Sequence, residues 1–310
     1  MAKHKLLRMD NVGIIVEDLE AAVDFFVELG LELEGKMAVE GDWVDRIVAL
    51  DGVLNDVAMM HTPDGHGKLE LIKYQKPKAF AGEQNAPVNA LGIRRIMFAV
   101  KGIDDVVARL QKHGARLIGE MVQYGDSYKL CYLHGPEGIM IALAEELTNN
   151  PEKDANTSAL LRMDNVLIVV DDLEAVKGFF LELGLELEGE PVVEGPSVDS
   201  LLGLKNVKAT LSVLRTPDGH SGIELDKFHS PGAVAGDANA VNTIGIRRLM
   251  FAVENIDDVV ARLQKQGAQL MGEVVTYENA YKLCYLRGPE GIIIALAEAL
   301  SDNAEKVIGR

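Results

Sequence analysis

The sequence predicts an α+β chain built from one βαβββ unit used four times. Two nested repeats and one recurring local pattern carry that expectation. The long repeat sets "RMDNV" at Arg8 against the same motif at Arg162, and "TPDGH" at Thr62 against Thr216, both 154 residues on. From "GIRRIMFAV" at Gly92 and "GIRRLMFAV" at Gly245 the spacing is 153, which places one deletion between His220 and Gly245. The short repeat lies within each half. There "NVGIIVEDLEAAVDFFVELG" from Asn11 overlays "RIMFAVKGIDDVVARLQKHG" from Arg95, and the same offset of 84 carries Gly35 onto Gly119 and Gly41-Asp42 onto Gly125-Asp126.

Each unit opens on a run of branched and aromatic residues without a breaker, which reads as a strand. An acidic helix start follows ("EDLEAA", "GIDDVV"), placing carboxylates where the helix dipole favours them. The helix carries an apolar stripe, Leu19, Val23, Phe26 and Leu29 in the first unit and Val106 and Leu110 in the second, and closes at Gly30 or Gly114. Three strands complete the unit, the last after a "PDG" or "PEG" turn. The polar stretch "TNNPEKDANTS" separates the halves. The expected organisation is a first domain over 1–150, a linker over 151–161 and a second domain over 162–310.

A length of 310 residues suits two domains, and 48% hydrophobic with 25% charged residues suits a soluble globular protein. The net charge of −17 argues against a nucleic-acid partner, because phosphate binding needs clustered cations. The start "MAKHKLLRMD" lacks the apolar core of a secretory signal, and no apolar run is long enough to span a bilayer. The only cysteines, Cys131 and Cys284, occupy the same motif in the two halves and read as unpaired thiols of a reducing compartment. A cytoplasmic protein without nucleic-acid or membrane partners is expected.

Four motifs in this order, each duplicated, carry a family likeness: "NVGIIVEDLEAAVDFFVELGLEL", "KLELI", "RIMFAVKGIDDVVARL" and "GPEGIMIAL". The chain resembles the vicinal oxygen chelate superfamily of glyoxalase I, bleomycin-resistance proteins and extradiol dioxygenases, from about Arg8 to Leu147 and from Arg162 to Leu300. The resemblance implies two glyoxalase/bleomycin-resistance-type domains, each an open eight-stranded cup made from two βαβββ units. It also implies where a metal would be held in the metal-binding members: His or Gln on the first strand, Glu on the fourth, His or Gln on the fifth, Glu on the eighth. Carried onto this sequence, those positions are Asn11, Glu70, Arg95 and Ala142, and again Asn165, Glu224, Arg248 and Ala295.

Only the glutamate of each set is a competent ligand. Alanine offers no donor, and arginine is a permanent cation set where a cation would bind. The resemblance with these departures implies a metal-independent cup and no cofactor, with a divalent Zn, Ni, Mn or Fe ion as the alternative. It tells against the extradiol dioxygenase reading in particular.

Two adjacent arginines lead each fifth strand, and alternate side chains face opposite ways, so either Arg94 or Arg95 faces the cup. If Arg95 does, it is expected to meet Glu70, and Arg248 to meet Glu224, each as a buried ion pair or as a forked anion receptor. Tyr128 and Tyr132, with their twins Tyr281 and Tyr285, alternate along one strand and could line the cup. The expected ligand-binding set is therefore Asn11, Glu70, Arg95, Tyr128, Tyr132, Asn165, Glu224, Arg248, Tyr281 and Tyr285. Candidates for acid-base work are Glu70, Glu224, His66 and His220, although a strand would put His66 roughly 13 Å from Glu70. Neither a nucleophile with an attached base nor a phosphate-binding glycine loop is present.

The functional expectation is a small-molecule-binding protein of bleomycin-resistance type that sequesters an anionic or aromatic ligand. The alternative is a glyoxalase-type lyase or isomerase, or another enzyme of the superfamily, acting with a non-standard metal site or without metal. The chain is expected to work as a monomer of two pseudo-symmetric domains or as a homodimer.

Overall fold

The structure, a computed structural model, describes residues 5–82, 86–147, 159–236 and 240–301. The first unit comprises β1 (Leu6–Ile15), α1 (Leu19–Leu29), β2 (Glu32–Glu40), α2 (Asp42–Val48), β3 (Leu54–His61) and β4 (Lys68–Lys76). The second comprises β5 (Gly92–Lys101), α3 (Ile103–Lys112), β6 (Arg116–Leu117), β7 (Val122–Tyr124), β8 (Tyr128–His134) and β9 (Met140–Glu146). The third comprises β10 (Ala159–Val169), α4 (Leu173–Leu183), β11 (Glu186–Gly189), β12 (Val192–Glu194), α5 (Pro196–Leu202), β13 (Lys208–Arg215) and β14 (Gly222–Ser230). The fourth comprises β15 (Gly245–Val253), α6 (Ile256–Lys265), β16 (Gln269–Leu270), β17 (Val275–Tyr277), β18 (Tyr281–Arg287) and β19 (Ile293–Ala299).

The βαβββ order thus holds in all four units. Short breaks split the second strand in units two to four, and a two-turn helix is added in units one and three. The expected linker lies outside the described residues as far as 158, and its last three residues are already part of β10.

The four long helices form for the reasons visible in their ends. Asp18 accepts a hydrogen bond from the Ala21 amide and Asp172 from the Ala175 amide, which satisfies donors that a helix start leaves free. The α3 start has a glycine instead of a capping side chain. There the Glu145 carboxylate accepts from the amides of Gly102 and Ile103. Gly30 closes α1 with φ of 119°. In the second unit Gly114 stands one residue beyond the cap, His113. All the residues of the expected apolar stripes are buried.

The strands assemble across the sequence halves. One sheet runs β16-β18-β19-β15-β1-β4-β3-β2 and joins units four and one; the other runs β11-β13-β14-β10-β5-β9-β8-β6 and joins units three and two. The divisions 1–150 and 162–310 are therefore repeat boundaries, and each cup draws strands from both. β1 lies between its own β4, in parallel, and β15 of the other half, antiparallel. β10 lies in the same way between β14 and β5. The segments that follow β4 and β14 carry the chain from one sheet to the other. They run beside each other, with bridges from Phe80 to Thr243 and from Ala90 to Val234.

The helices fill the space between the sheets. One continuous core unites Val12, Ile14 and Phe251 of the first sheet with Ile96, Phe98 and Ile168 of the second, and with Phe26, Leu110, Phe180 and Leu263 of the helices. The opposite face of each sheet is its cup, and each cup has a separate apolar lining. Among the described residues no helix is long and apolar enough to cross a membrane.

Candidate functional site

Pleating decides which arginine enters a cup. Arg95 is wholly buried and Arg248 nearly so, and each turns toward the cup floor. Arg247 points away and donates to the carbonyls of Thr243 and Ile244.

Register decides the partners, and it overturns the expected pairing. Gly13 of β1 stands opposite both Glu70 on β4 and Arg248 on β15, so these three form one row across three strands. Leu167 of β10 stands likewise between Glu224 and Arg95. Arg248 therefore pairs with Glu70, and Arg95 with Glu224, over 178 and 129 residues of sequence. Glu70 and Arg95 belong to different sheets and cannot meet.

In the cup of units one and four, both terminal nitrogens of the Arg248 guanidinium are engaged. Nη2 donates to Glu70 Oε2, and Nη1 donates to Asn11 Oδ1 at 2.8 Å. Tyr285 lies under it, with Cζ 5.3 Å from the ring centre. Gly13 makes this possible: a Cβ there would stand 3.1 Å from Arg248 Cζ and Nε, so the guanidinium lies where a side chain would be.

In the cup of units two and three, Leu167 fills that position. Arg95 Nη2 reaches Glu224 Oε1 at 2.8 Å, and Tyr132 lies 4.9 Å from Cζ. Among the described residues, Arg95 Nε and Nη1 are buried without a hydrogen-bond partner, and so are Asn165 Oδ1 and Asp226 Oδ1. The Asn165 amide nitrogen instead donates to Glu224 Oε2 at 3.4 Å. Asp226 replaces the Ile72 of the other cup. Burial pushes its carboxyl well above the ordinary value of 3.8; the neighbouring Glu224 adds to this and Arg95 opposes it. Burial likewise raises the phenols of Tyr132 and Tyr285.

A short helix closes each cup. Val44, Ile47 and Val48 of α2 pack onto Ile15, Ile72, Tyr74 and Ile293 of the floor, and Leu201 and Leu202 of α5 pack onto Leu167, Val169 and Met140. Each helix end is held by the opposite unit: the Glu273 amide donates to the Arg46 carbonyl, and the Glu120 amide to the Ser200 carbonyl, both at 2.8 Å. The α2 helix has two further holds. Trp43 packs on Tyr277 with ring centres 4.4 Å apart, and the Arg46 guanidinium binds the Glu273 carboxylate through Nε at 3.0 Å and Nη2 at 2.5 Å. In α5 the corresponding positions are Ser197 and Ser200.

Of the expected site residues, the floors bring together Asn11, Glu70, Arg248 and Tyr285, and separately Asn165, Glu224, Arg95 and Tyr132. Tyr128 is half exposed at the outer start of β8, and Tyr281 packs with Ala280 at the equivalent end of β18. His66 and His220 lie at exposed turns and stack on each other, ring centres 3.4 Å apart and 5° from parallel. Asp226 and the closing helices were not among the expected features. The Ile72-to-Asp226 exchange within otherwise matching strands was the available signal for the first.

The donor set does not fit a metal. Each floor offers one carboxylate and one amide beside a fixed guanidinium, and Ala142 and Ala295, both buried, contribute no donor. Asp226 adds a second carboxyl to that floor of units two and three, raised well above its ordinary value by burial, but the Arg95 guanidinium still occupies the space between the donors. Among the described residues no group of three or more His, Cys, Asp or Glu could hold a metal ion.

The family profile described as Glyoxalase/Bleomycin resistance protein/Dioxygenase superfamily matches residues 10–132 and, in a second form, residues 162–296. A glyoxalase family protein from Bacillus cereus is 56% identical over 48% of this chain and 99% of its own, with a TM-score of 0.47. Glyoxalase I from Zea mays aligns over 94% of this chain and 92% of its own, at 16% identity and a TM-score of 0.63. A putative dioxygenase from Bacillus subtilis aligns over 99% and 91%, at 13% identity and a TM-score of 0.61. No curated protein matches the sequence.

Proposed function

The chain belongs to the glyoxalase/bleomycin-resistance/dioxygenase superfamily, and on that premise we propose that it binds and sequesters a small organic molecule in a metal-free cup. The observation that carries this reading is the arginine in each floor row. A guanidinium paired with Glu70 or Glu224 occupies the middle of the donor set with its own fixed charge. A divalent ion there would have to displace a buried cation and leave that cation unpaired, which costs several kcal/mol. What remains is a polar floor under apolar walls, suited to holding a small molecule by a few directed hydrogen bonds.

The net charge of −17 supports a small-molecule partner over a nucleic acid. Each cup is complete within one chain, so the binding reading requires no second copy. The unpaired and buried Cys131 and Cys284, whose thiols burial pushes up to about 12, support a cytoplasmic setting.

The test is metal content and metal response. The purified protein is expected to hold no stoichiometric metal, and added zinc, nickel, manganese or iron should leave its melting temperature unchanged. One equivalent of bound metal per cup, with a matching rise in melting temperature, would overturn the reading and restore a metal-dependent enzyme. Arg95→Ala combined with Arg248→Ala should abolish ligand retention; undiminished retention would make the arginines purely structural.

A further inference from the structure

The two cups have the same ancestry but differ in how far their floors satisfy their own polar atoms. In the cup of units one and four, Gly13 and Ile72 leave Arg248 room to bond both Asn11 and Glu70, and among the described residues only Asn55 Oδ1, beside Tyr74, is buried there without a partner. In the cup of units two and three, Leu167 and Asp226 stand at those positions. Among the described residues, four polar atoms there are buried without a partner: Arg95 Nε and Nη1, Asn165 Oδ1 and Asp226 Oδ1. Buried polar groups are almost always hydrogen-bonded, so a cluster of four in one floor calls for something that bonds to them. The closing helices differ in the same sense. The α2 helix is clamped by the Trp43–Tyr277 contact and the Arg46–Glu273 ion pair, whereas α5 carries Ser197 and Ser200 in place of Trp43 and Arg46.

We propose that only the cup of units two and three is the ligand site. Its floor of Arg95, Asn165, Glu224 and Asp226 takes a small uncharged molecule bearing both a hydrogen-bond acceptor and a hydroxyl donor, of which a hydroxyketone is the simplest. The cup of units one and four is the sealed structural twin. This rests on reading the cups as binding sites.

The chemistry follows from the free valences. Arg95 Nε–H and Nη1–H need acceptor oxygens, and Asn165 Oδ1 needs a donor. Glu224 already balances the Arg95 charge, so an anionic ligand would add an uncompensated negative charge to a buried site that also holds a second carboxyl. Entry requires α5 to lift, and with only its apolar contacts and one terminal hydrogen bond to the opposite unit among the described residues it is the helix built to do so.

The experiment titrates the isotope-labelled full chain with hydroxyacetone and, separately, with its anionic counterpart pyruvate, and follows backbone amide resonances. Hydroxyacetone is expected to move Asn165, Leu167 and Asp226 and to leave Asn11, Gly13 and Ile72 in place. Pyruvate should bind at least about tenfold more weakly. Asp226→Ile, which copies the twin, should weaken hydroxyacetone binding at least about tenfold, while Asp226→Asn, which keeps size and hydrogen bonding, should retain it. In the unliganded chain the amides of α5 should exchange with solvent at least about tenfold faster than those of α2. Equal response of Gly13 and Ile72 would overturn the division of labour and leave the binding reading intact. Tighter binding of pyruvate would overturn the ligand class alone. Silence of both cups toward both probes would overturn the inference and the binding reading together.

Discussion

Gly13 shows how one missing side chain sets the state of a whole floor. A Cβ at this position would come within 3.1 Å of the Arg248 guanidinium and 3.3 Å of its Cγ. Gly13→Ala should therefore push the guanidinium off its bond to Asn11. The strand would gain up to about 1 kcal/mol from reduced freedom of the unfolded chain, and lose about 1–3 kcal/mol from a buried donor and acceptor left unpaired. Net destabilisation of about 1–2 kcal/mol, read from urea unfolding, is the expected outcome, and a stabilised variant would sink the account. Asp226 gives the residue-scale pH dependence. Its folded carboxyl is raised above the ordinary 3.8, so the folded state holds the proton more tightly than the unfolded chain. The associated stability is fully present below that ordinary value and is lost as pH rises through the folded-state value. Asp226→Asn removes the effect. The stability of this variant relative to the native chain should therefore grow as pH rises above that ordinary value. A difference that stays constant as pH rises would mean that the folded carboxyl is not raised.

At the scale of elements, the four long helices were legible because each satisfies several independent signals at once: an acidic first turn, an apolar stripe and, in α1 and α4, a capping aspartate before the helix and a glycine after it. The short helices α2 and α5 were not. Seven residues make two turns, too few for an apolar period to stand out, and "GDWVDRIV" and "GPSVDSLL" fold as helices because their apolar faces close a cup assembled from distant strands. Their anchoring makes a test. A Cβ on Gly272 would lie 1.9 Å from the Arg46 carbonyl oxygen, a backbone atom that cannot swing aside. Gly272→Ala should release the end of α2, separate Trp43 from Tyr277 and expose it. Because Trp43 is the only tryptophan, the change should appear as a red shift of fluorescence with faster amide exchange confined to α2 and its neighbours. An unchanged spectrum would show that the terminal contact does not hold the helix down.

At the scale of the whole molecule, repeat spacing identified the four units but could not say which of them pair. Homologous strands carry the same apolar pattern, so β1 could have accepted β5 or β15 on pattern alone. The choice is made by the segment after β4, which crosses to the opposite sheet and brings Ala90 beside Val234. For this reason Asn11 and Glu70 could be placed on a floor from sequence, with Arg94 or Arg95 and Tyr128 or Tyr132 as alternatives, while their partners could not. The same geometry determines how half a chain should behave. A fragment of residues 1–158 keeps units one and two, yet β1 and β5 lose the partners that cover them, β15 and β10. Long unpaired edges of this kind recruit another strand. Because the two halves are homologous, unit two of a second copy can stand in for unit four, placing the Arg95 of one fragment against the Glu70 of the other. The fragment should therefore form a symmetric dimer with two cups, seen as twice the fragment mass in light-scattering chromatography. Arg95→Glu should prevent that dimer by setting two carboxylates against each other in a buried row, and combining it with Glu70→Arg should restore it. A folded monomeric fragment in which Arg95 meets its own Glu70 would show instead that the crossing segment does not dictate the pairing.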